Sequence, residues 1–290
     1  MEAVALSKPD EQATQSAGRD WSELPLDALV QIFARLGGAV EILMGSSLVC
    51  RSWLQAAKEP ELWRSVDMAS HRVVEEKKGD VLRAMAMVAV DRSMGQLEVF
   101  LGKSNFALKD CVVVVHCSVQ CGVVALLSFV DTGNLIRRSA SLKIISLISC
   151  HEVSNKGFTE LLTKSPLLED LSLELCPKIG GRSVYESTGK ACPQLKRFSL
   201  RRECFRFSLN YPRPVAEALG IAAMCELRSL SLTSSNITND ELVAILDGCP
   251  RLEILCLRDC YKVIADDDTL RAKCARIKTC TLMLPDEYER

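Results

Sequence analysis

A short motif, Leu-x-x-Leu-x-Leu, recurs through the second half of the chain and decides the fold. The copies are LKIISL from Leu142, LEDLSL from Leu168, LKRFSL from Leu195, LRSLSL from Leu227, LEILCL from Leu252 and a weaker IKTCTL from Ile277. Successive copies begin 26, 27, 32, 25 and 25 residues apart. Repeats of this length bury their apolar faces only against stacked neighbours. The motif therefore predicts an α/β solenoid with parallel strands on the concave face and helices on the convex face.

Cysteines and prolines recur at fixed positions relative to this motif. Three cysteines lie eight residues after the first leucine of their copies and three lie three residues before it, namely Cys150, Cys176 and Cys260, then Cys192, Cys249 and Cys274. Columns of small apolar side chains in a stacked core explain this spacing without reactivity. Pro166, Pro193 and Pro250 each stand two residues before a copy, where a proline ends the preceding helix. Thr238 offers an N-cap for a helix that follows it.

The composition excludes several classes of protein. The 290 residues carry 36 Lys+Arg against 37 Asp+Glu and are 48% hydrophobic. This profile is typical of a soluble globular chain with no bulk attraction to nucleic acid or membrane. No secretory signal is visible in residues 1–19, which look disordered, so a reducing compartment, the cytoplasm and/or the nucleus, is expected. Because the chain has 14 cysteines but only 3 histidines, with few close Cys pairs, no metal site and no cofactor are predicted.

A second, independent pattern occupies the N-terminal region, DWSELPLDALVQIFARLGGAVEILMGSSLVCRSWLQAAKEPELW from Asp20 to Trp63. Its matching positions are Leu24-Pro25, Asp27, Leu29, Ile32-Phe33, Arg35-Leu36, Val49-Cys50-Arg51, Trp53 and Leu62-Trp63, and this ordered set resembles an F-box. Pro25 suits a first helical turn, and Gly37 with Gly38 ends that helix. A second helix is predicted from near Val40 to Trp53. The Cys-Pro and Cys positions around the strands resemble the cysteine-containing leucine-rich repeats of plant F-box proteins.

The resemblance implies a function and a division into domains. It implies a non-catalytic substrate-recognition subunit of a Skp, cullin, F-box (SCF) ubiquitin ligase, which binds a Skp-type adaptor, through it cullin and RING subunits, and an unidentified protein target. The predicted adaptor contacts are Leu24, Pro25, Leu29, Ile32, Leu36, Val49, Cys50 and Trp53. The predicted divisions are a tail (1–19), the F-box (20–66), a helical linker or cap (67–96), the repeats (97–284) and a second tail (285–290). An interaction scaffold or regulatory adaptor that delivers no target to ubiquitin is the alternative.

One segment departs from the repeat pattern. From Leu97 to Leu142 the chain runs 45 residues, about 19 more than one repeat of 26, and the surplus lies near residues 108–133. Its apolar run from Cys111 to Val130 is interpreted as buried strand in an irregular repeat or as a destabilising insertion, and only weakly as a membrane span. A thiol hydrolase that uses His116 or His151 is a weaker alternative, and it predicts a thiol of low pKa.

The concave face can be read in columns. Its central column is predicted to be small, with Ser146, Ser172, Ser199, Ser231, Cys256 and Thr281. Beside it, the second repeat is acidic and the third is basic, which is read either as solvated, compensating charge or as a recognition patch. The third repeat also carries a longer loop with Tyr211 as a surface anchor. The predicted target-binding residues are Asp170, Glu174, Arg197, Arg201, Tyr211 and Arg258.

Overall fold

The computed structural model describes residues 20–76, 79–103, 141–151, 153–202 and 217–283. Within these ranges, short helices precede one eight-stranded, all-parallel sheet whose strands lie in sequence order. The strands are β1 (Ser65–Met68), β2 (Val99–Lys103), β3 (Ile144–Ile148), β4 (Asp170–Glu174), β5 (Arg197–Arg201), β6 (Ser229–Thr233), β7 (Ile254–Arg258) and β8 (Thr279–Met283). This architecture confirms the predicted solenoid.

The helices fall into two groups. The N-terminal group contains α1 (Leu26–Leu36), α2 (Ala39–Met44) and α3 (Arg51–Ala56), with 3-10 turns at Trp21–Glu23, Ser46–Leu48 and Pro60–Trp63. The helices that follow β1 and alternate with the later strands are α4 (Val73–Glu76), α5 (Gly79–Arg92), α6 (Asn155–Thr163), α7 (Arg182–Ala191), α8 (Glu217–Ala222), α9 (Asn239–Gly248) and α10 (Asp268–Cys274). Because each long crossover between neighbouring strands must return the chain to the same edge of the sheet, all pairings are parallel.

Buried and more exposed side chains alternate along strands β1 to β7, so that one face of the sheet packs on the core. In β4, Leu171 and Leu173 are buried, whereas Asp170, Ser172 and Glu174 point to the other face. The strand register places the buried side chains of successive repeats in one column, Val66, Phe100, Ile145, Leu171, Phe198, Leu230 and Leu255, all at most 1% exposed. No single repeat can bury its own side chains in this column, so each strand depends on the neighbouring repeats for its stability.

The capping and cysteine predictions are confirmed in the described repeats. Thr238 forms a capping box with Glu241, and the backbone N–H of Thr238 donates to the Glu241 carboxylate at 2.9 Å. Cys192 and Cys249 are buried, and each thiol donates to carbonyls at the end of the helix in the previous repeat, α6 for Cys192 and α8 for Cys249. Burial raises the pKa of both thiols to about 12, which keeps them protonated and inert. Cys274 differs in being only half-buried.

The sheet begins one strand earlier than the predicted start of the repeats at residue 97. Trp63, Val66 and Met68 are fully buried, and they follow the same spacing as Leu-x-x-Leu-x-Leu. The motif was missed because none of the three is leucine. The Trp63 indole N–H donates to the Ala57 carbonyl at 3.0 Å, and the Arg92 guanidinium lies 5.1 Å from the Trp63 ring centroid. The end of the F-box pattern is therefore also the first buried position of the solenoid.

Several predictions lie outside the described residues. They concern both tails, the irregular segment near 108–133 with His116, and Tyr211 in the loop of the third repeat. In the described ranges, no helix has the length and apolar character needed to cross a membrane. The same residues contain no group of three or more His, Cys, Asp or Glu side chains arranged to hold a metal ion.

Candidate functional site

Helix α1 has two apolar stripes, one packed in the helical core and one exposed to solvent. Leu29 and Phe33, one turn apart, are 0% and 1% exposed and face the helical core. Ile32 and Leu36, also one turn apart, are 38% and 48% exposed. The helix stops at Gly37, whose φ of 97° lies in the left-handed region that glycine adopts without strain. Helical spacing alone predicts one apolar face for Leu29, Ile32, Phe33 and Leu36, but the structure divides these residues between the core and the surface.

The turn between α2 and α3 exposes two further apolar side chains. The single helix predicted from near Val40 to Trp53 is wrong, because the chain breaks at Gly45 and passes through the 3-10 turn Ser46–Leu48. Ser47 is buried, and its hydroxyl donates to the Leu43 carbonyl at 3.2 Å. The next two residues then point outward, so that Leu48 is 73% and Val49 is 60% exposed.

The segment that leads into α1 is anchored on α3. The Trp53 indole N–H donates to the Trp21 carbonyl at 3.0 Å, and the Ser52 hydroxyl donates to the Ser22 carbonyl at 2.9 Å. The Trp53 ring packs edge-on against Phe33, with 5.4 Å between ring centroids, a favourable geometry for two aromatic rings. These contacts order the chain before Pro25 and couple it to the core of the F-box helices.

The predicted adaptor contacts therefore differ in accessibility. Pro25, Ile32, Leu36 and Val49 are exposed, and Leu24, Cys50 and Trp53 are half-buried. Leu29 needs correction, because a fully buried side chain in the helical core offers no surface to a partner. Sequence reasoning missed the exposed Trp21, Leu26, Met44, Leu48 and Leu54. Their periodicity gave no signal, since short helices joined by turns change direction every few residues.

These side chains concentrate apolar surface in the F-box helices. Eight of the sixteen large apolar side chains that are exposed in the described ranges lie between Trp21 and Leu54. We call them the F-box apolar set: Trp21, Leu26, Ile32, Leu36, Met44, Leu48, Val49 and Leu54. A concentration of this kind on a small module is typical of a protein interface.

The concave face has a floor of small polar residues flanked by paired charges. The register aligns Ser146, Ser172, Ser199, Ser231, Cys256 and Thr281, which confirms the predicted central column. Beside this floor, the Arg197 Nε donates to the Asp170 carboxylate at 2.6 Å. On the other side of the floor, Arg201 and Glu174 form an ion pair at 3.7 Å.

The charges predicted to attract a target thus compensate one another across β4 and β5. Exposed pairs contribute only about 0–1 kcal/mol each, so a partner can displace them at small cost. Arg258 is exposed and lies in the same row as Arg201, two strands away. The structure therefore brings four of the predicted target-binding residues into two pairs and sets Arg258 apart from them.

Arg202 departs from the surface role that its basic neighbours have. Its guanidinium donates to the carbonyls of Cys176 at 3.0 Å and Ile179 at 2.9 Å, and to the Tyr185 hydroxyl at 2.9 Å. It also forms an ion pair with Glu217, on whose carboxylate the Gly181 N–H converges at 3.2 Å. Burial raises the pKa of Glu217, and the charge of Arg202 opposes that rise.

The thiol hydrolase alternative finds little support at His151. The adjacent Cys150 and the neighbouring Cys176 are 0% and 1% exposed, so no substrate reaches either thiol in this structure. The pKa of Cys176 is lowered, first through its side-chain hydrogen bond with Cys150 and against the effect of burial. That arrangement is a contact between two buried cysteines at equivalent positions of successive repeats. His116 lies outside the described residues.

The described geometry defines a class, a helical F-box module continuous with a leucine-rich-repeat solenoid, and comparison with known proteins agrees. Residues 21–69 match the F-box-like family model. F-box protein SKIP19 of Arabidopsis thaliana is 32% identical over 260 residues, which cover 90% of this chain and 76% of that protein. F-box/LRR-repeat protein 22 of the same plant is 33% identical over 273 residues, which cover 93% and 79%. The chain belongs to this plant F-box/LRR-repeat family.

Two further matches describe the extent of the likeness. Arabidopsis thaliana F-box/LRR-repeat protein 23 is 33% identical over 264 residues, which cover 90% of this chain but 52% of that protein, so the chain spans about half its length. Among solved structures, TLR13 in its complex with ssRNA13 aligns over 69% of this chain and 28% of that one, at 15% identity and a TM-score of 0.38. The strand order and register described above carry the solenoid assignment, and that alignment adds nothing to it.

Proposed function

We propose that this chain is the substrate-recognition subunit of an SCF-type ubiquitin ligase. The F-box apolar set binds a Skp-type adaptor, and the adaptor links the chain to cullin and RING subunits. The solenoid holds a protein target. One observation carries the proposal: half of the large apolar side chains exposed in the described ranges lie in the module that the F-box-like family model matches.

The solenoid does not account for these side chains. The F-box helices already contact the first repeat through another surface, since α2 packs near β1 and α5 with Ala39, Val40 and Ile42 buried. The F-box apolar set remains exposed after that packing. Burying one large apolar side chain stabilises a complex by about 1.5–3 kcal/mol, so several such residues supply useful affinity without buried charge.

The proposed mechanism is proximity. A target held by the repeats presents its lysines at high effective concentration to a ubiquitin-loaded enzyme that another subunit brings. This chain then needs no nucleophile and no acid/base pair of its own. Its small, polar concave floor and displaceable charge pairs suit capture of a folded or extended protein surface. Such a complex would operate in the cytoplasm and/or the nucleus.

Replacing Leu48 and Val49 together with glutamate is expected to weaken binding of a Skp-type adaptor at least about a hundredfold. Each substitution puts a charge where the proposed interface is apolar, and truncating an interface hot spot costs about 2 kcal/mol or more. The measurement is co-purification followed by size-exclusion chromatography of the complex. Since both positions are more than half exposed, the fold should survive.

The matched control places glutamate at two other exposed apolar positions, which lie in the solenoid, Leu219 (45% exposed) and Ile264 (55% exposed). We expect this control to bind like the wild type in a one-to-one complex. Undiminished binding by the Leu48→Glu, Val49→Glu protein would show that the interface lies elsewhere. A complex that forms normally but supports no ubiquitin transfer to any bound protein would favour the scaffold alternative.

A further inference from the structure

Two cysteine thiols lie side by side at the C-terminal end of the described solenoid. Cys274 is the last residue of α10 and is half-buried, whereas Cys280 lies in β8 and is exposed. The chain turns back between them, where the Ile277 N–H donates to the Cys274 carbonyl at 2.9 Å. A hydrogen bond joins the two cysteine side chains. The end of the solenoid therefore carries a pair of neighbouring thiols, and solvent reaches one of them.

The position of Cys274 differs from those of its counterparts in earlier repeats. The thiols of Cys192 and Cys249 each donate to two carbonyls at the end of the helix in the previous repeat. The same spacing assigns to Cys274 the carbonyls of Leu246 and Cys249, at the end of α9. The Arg276 guanidinium donates to both of these carbonyls, at 3.1 Å for that of Cys249. Because Arg276 replaces the thiol there, Cys274 interacts with Cys280 instead.

Cys280 occupies a position that is buried in the preceding repeat. The register places it beside Leu255 of β7, which is 0% exposed. In the described part of the chain β8 is the last strand of the sheet, so none of the described repeats covers Cys280. A small oxidant in solution therefore reaches the Cys280 sulfur directly, and Cys274 stands beside the product.

We propose that Cys274 and Cys280 form an intramolecular disulfide when the chain meets hydrogen peroxide, and that this bond is a redox-sensitive link between α10 and β8. In a reducing compartment, the disulfides that do form are usually transient and redox-sensing. Cysteines that sense oxidants are accessible to solvent and often lie next to a second cysteine that resolves the oxidised sulfur. Exposed Cys280 and half-buried Cys274 fit these two roles.

The reaction balances in two steps. The Cys280 thiolate attacks one oxygen of hydrogen peroxide and the O–O bond breaks, which gives a sulfenic acid and a hydroxide that takes up the proton released by the thiol. The Cys274 thiolate then attacks the Cys280 sulfur. The S–S bond forms as the S–O bond breaks, and the departing hydroxide takes up the proton from Cys274. The two sulfurs lose two electrons in total, and the peroxide is reduced to two water molecules.

The electrostatics of Cys274 favour this order of events. Burial, followed by the charge and the hydrogen bond of Cys280, raises the pKa of the Cys274 thiol to about 11. The charge of Arg276 opposes this rise. Oxidation of Cys280 to a neutral sulfenic acid removes its negative charge, so the pKa of Cys274 falls. Cys274 therefore stays protonated while Cys280 is reduced, and it ionises more readily once Cys280 has been oxidised.

The test treats the full, reduced chain with hydrogen peroxide, blocks the remaining thiols with iodoacetamide and identifies tryptic peptides by mass spectrometry. Trypsin cleaves after Lys273, Arg276 and Lys278, so the two cysteines fall on separate peptides, 274–276 and 279–290. We expect these peptides to be linked and dithiothreitol to separate them. Amide exchange in α10 and β8 should be at least about tenfold slower in the oxidised protein, because the bond limits local opening.

Four variants define the pair. Cys274→Ser and Cys280→Leu each remove one sulfur and should abolish the link, and leucine is the residue at the equivalent position of β7. Cys225→Ser, at another exposed cysteine, is the matched control and should form the link like the wild type. Arg276→Met frees the two carbonyls of α9 for the Cys274 thiol and should slow formation of the link about tenfold.

Each outcome decides the proposal. It would be overturned if folded, peroxide-treated wild type gave no linked peptide, a link from either cysteine to a different cysteine, or a sulfinic acid at Cys280 in place of the link. An unchanged rate in folded Arg276→Met would contradict the role given to Arg276, and unchanged amide exchange would contradict the link between α10 and β8. Thermal unfolding confirms that each variant is folded. Neither adaptor nor target takes part, so failure here would leave the proposed function untouched.

Discussion

Replacing Arg202 with methionine is expected to lower the free energy of unfolding by about 3–5 kcal/mol near neutral pH, as removal of one partner from a buried ion pair does. The side chains of Arg202 and Glu217 are 20% and 12% exposed. Without Arg202, the Glu217 carboxylate keeps its cost of burial and loses its countercharge. The carbonyls of Cys176 and Ile179 and the Tyr185 hydroxyl also lose a donor. Chemical denaturation followed by circular dichroism measures the change.

The loss should depend on pH in a definite direction. The pKa of Glu217 in the folded protein is raised from its usual 4.5, chiefly by burial, and Arg202 lowers it in opposition. A carboxyl with a raised pKa binds its proton more tightly in the folded state, so its ionisation opposes folding as pH rises. Without Arg202 the pKa rises further. The destabilisation is therefore largest above that pKa and shrinks as pH falls towards 4.5.

Two comparisons isolate the buried pair. Adding Glu217→Gln to Arg202→Met removes the buried charge, so part of the stability should return and the pH dependence should weaken. Lys196→Met breaks an exposed pair with Glu169 and should cost no more than about 1 kcal/mol. An Arg202→Met protein as stable as the wild type at neutral pH would show that Arg202 does not help to hold the second and third repeats together.

Replacing Phe33 with alanine is expected to cost about 3–5 kcal/mol and to abolish adaptor binding. Phe33 is 1% exposed and packs against Trp53, which in turn holds the segment before Pro25. The F-box helices form a small module, in which one lost aromatic side chain is a large fraction of the buried core. Denaturant unfolding and adaptor co-purification are the two measurements.

Ile32, the neighbour of Phe33 on the exposed stripe of α1, provides the control. Its side chain is already 38% exposed. Ile32→Ala should therefore change stability by less than about 1 kcal/mol, yet it should weaken adaptor binding. The pair of variants separates the core of the module from its surface. If Phe33→Ala retained both stability and binding, the F-box helices would not be organised around Phe33 and Trp53.

The solenoid was predictable because its repeats are alike. Leu-x-x-Leu-x-Leu, the cysteine columns and the prolines gave the strand register and the helix ends before the structure did. The first strand was not predicted, because Trp63, Val66 and Met68 satisfy the same burial pattern without leucine. Burial in a solenoid requires apolar volume at fixed spacing, and the identity of the residue is secondary.

The surfaces were less predictable. The separation of Leu29 from Ile32 depends on which side of α1 meets the other helices, and periodicity alone does not give that side. The acidic second and basic third repeats became pairs only when the register placed Arg197 opposite Asp170. The sequence predicts Arg202 to be one more exposed cation of the basic third repeat. Its side chain points inward because it contacts Tyr185 and Glu217 in the folded protein.

Hydrogen–deuterium exchange of the chain, alone and with a Skp-type adaptor, measures which part of the molecule the adaptor covers. If the F-box helices bind the adaptor while the concave face stays free for a target, adaptor addition slows amide exchange within residues 21–54 and leaves exchange in β4 to β7 unchanged. Protection of β4 to β7 by the adaptor, or no protection of residues 21–54, would show that the adaptor does not bind through the F-box helices alone.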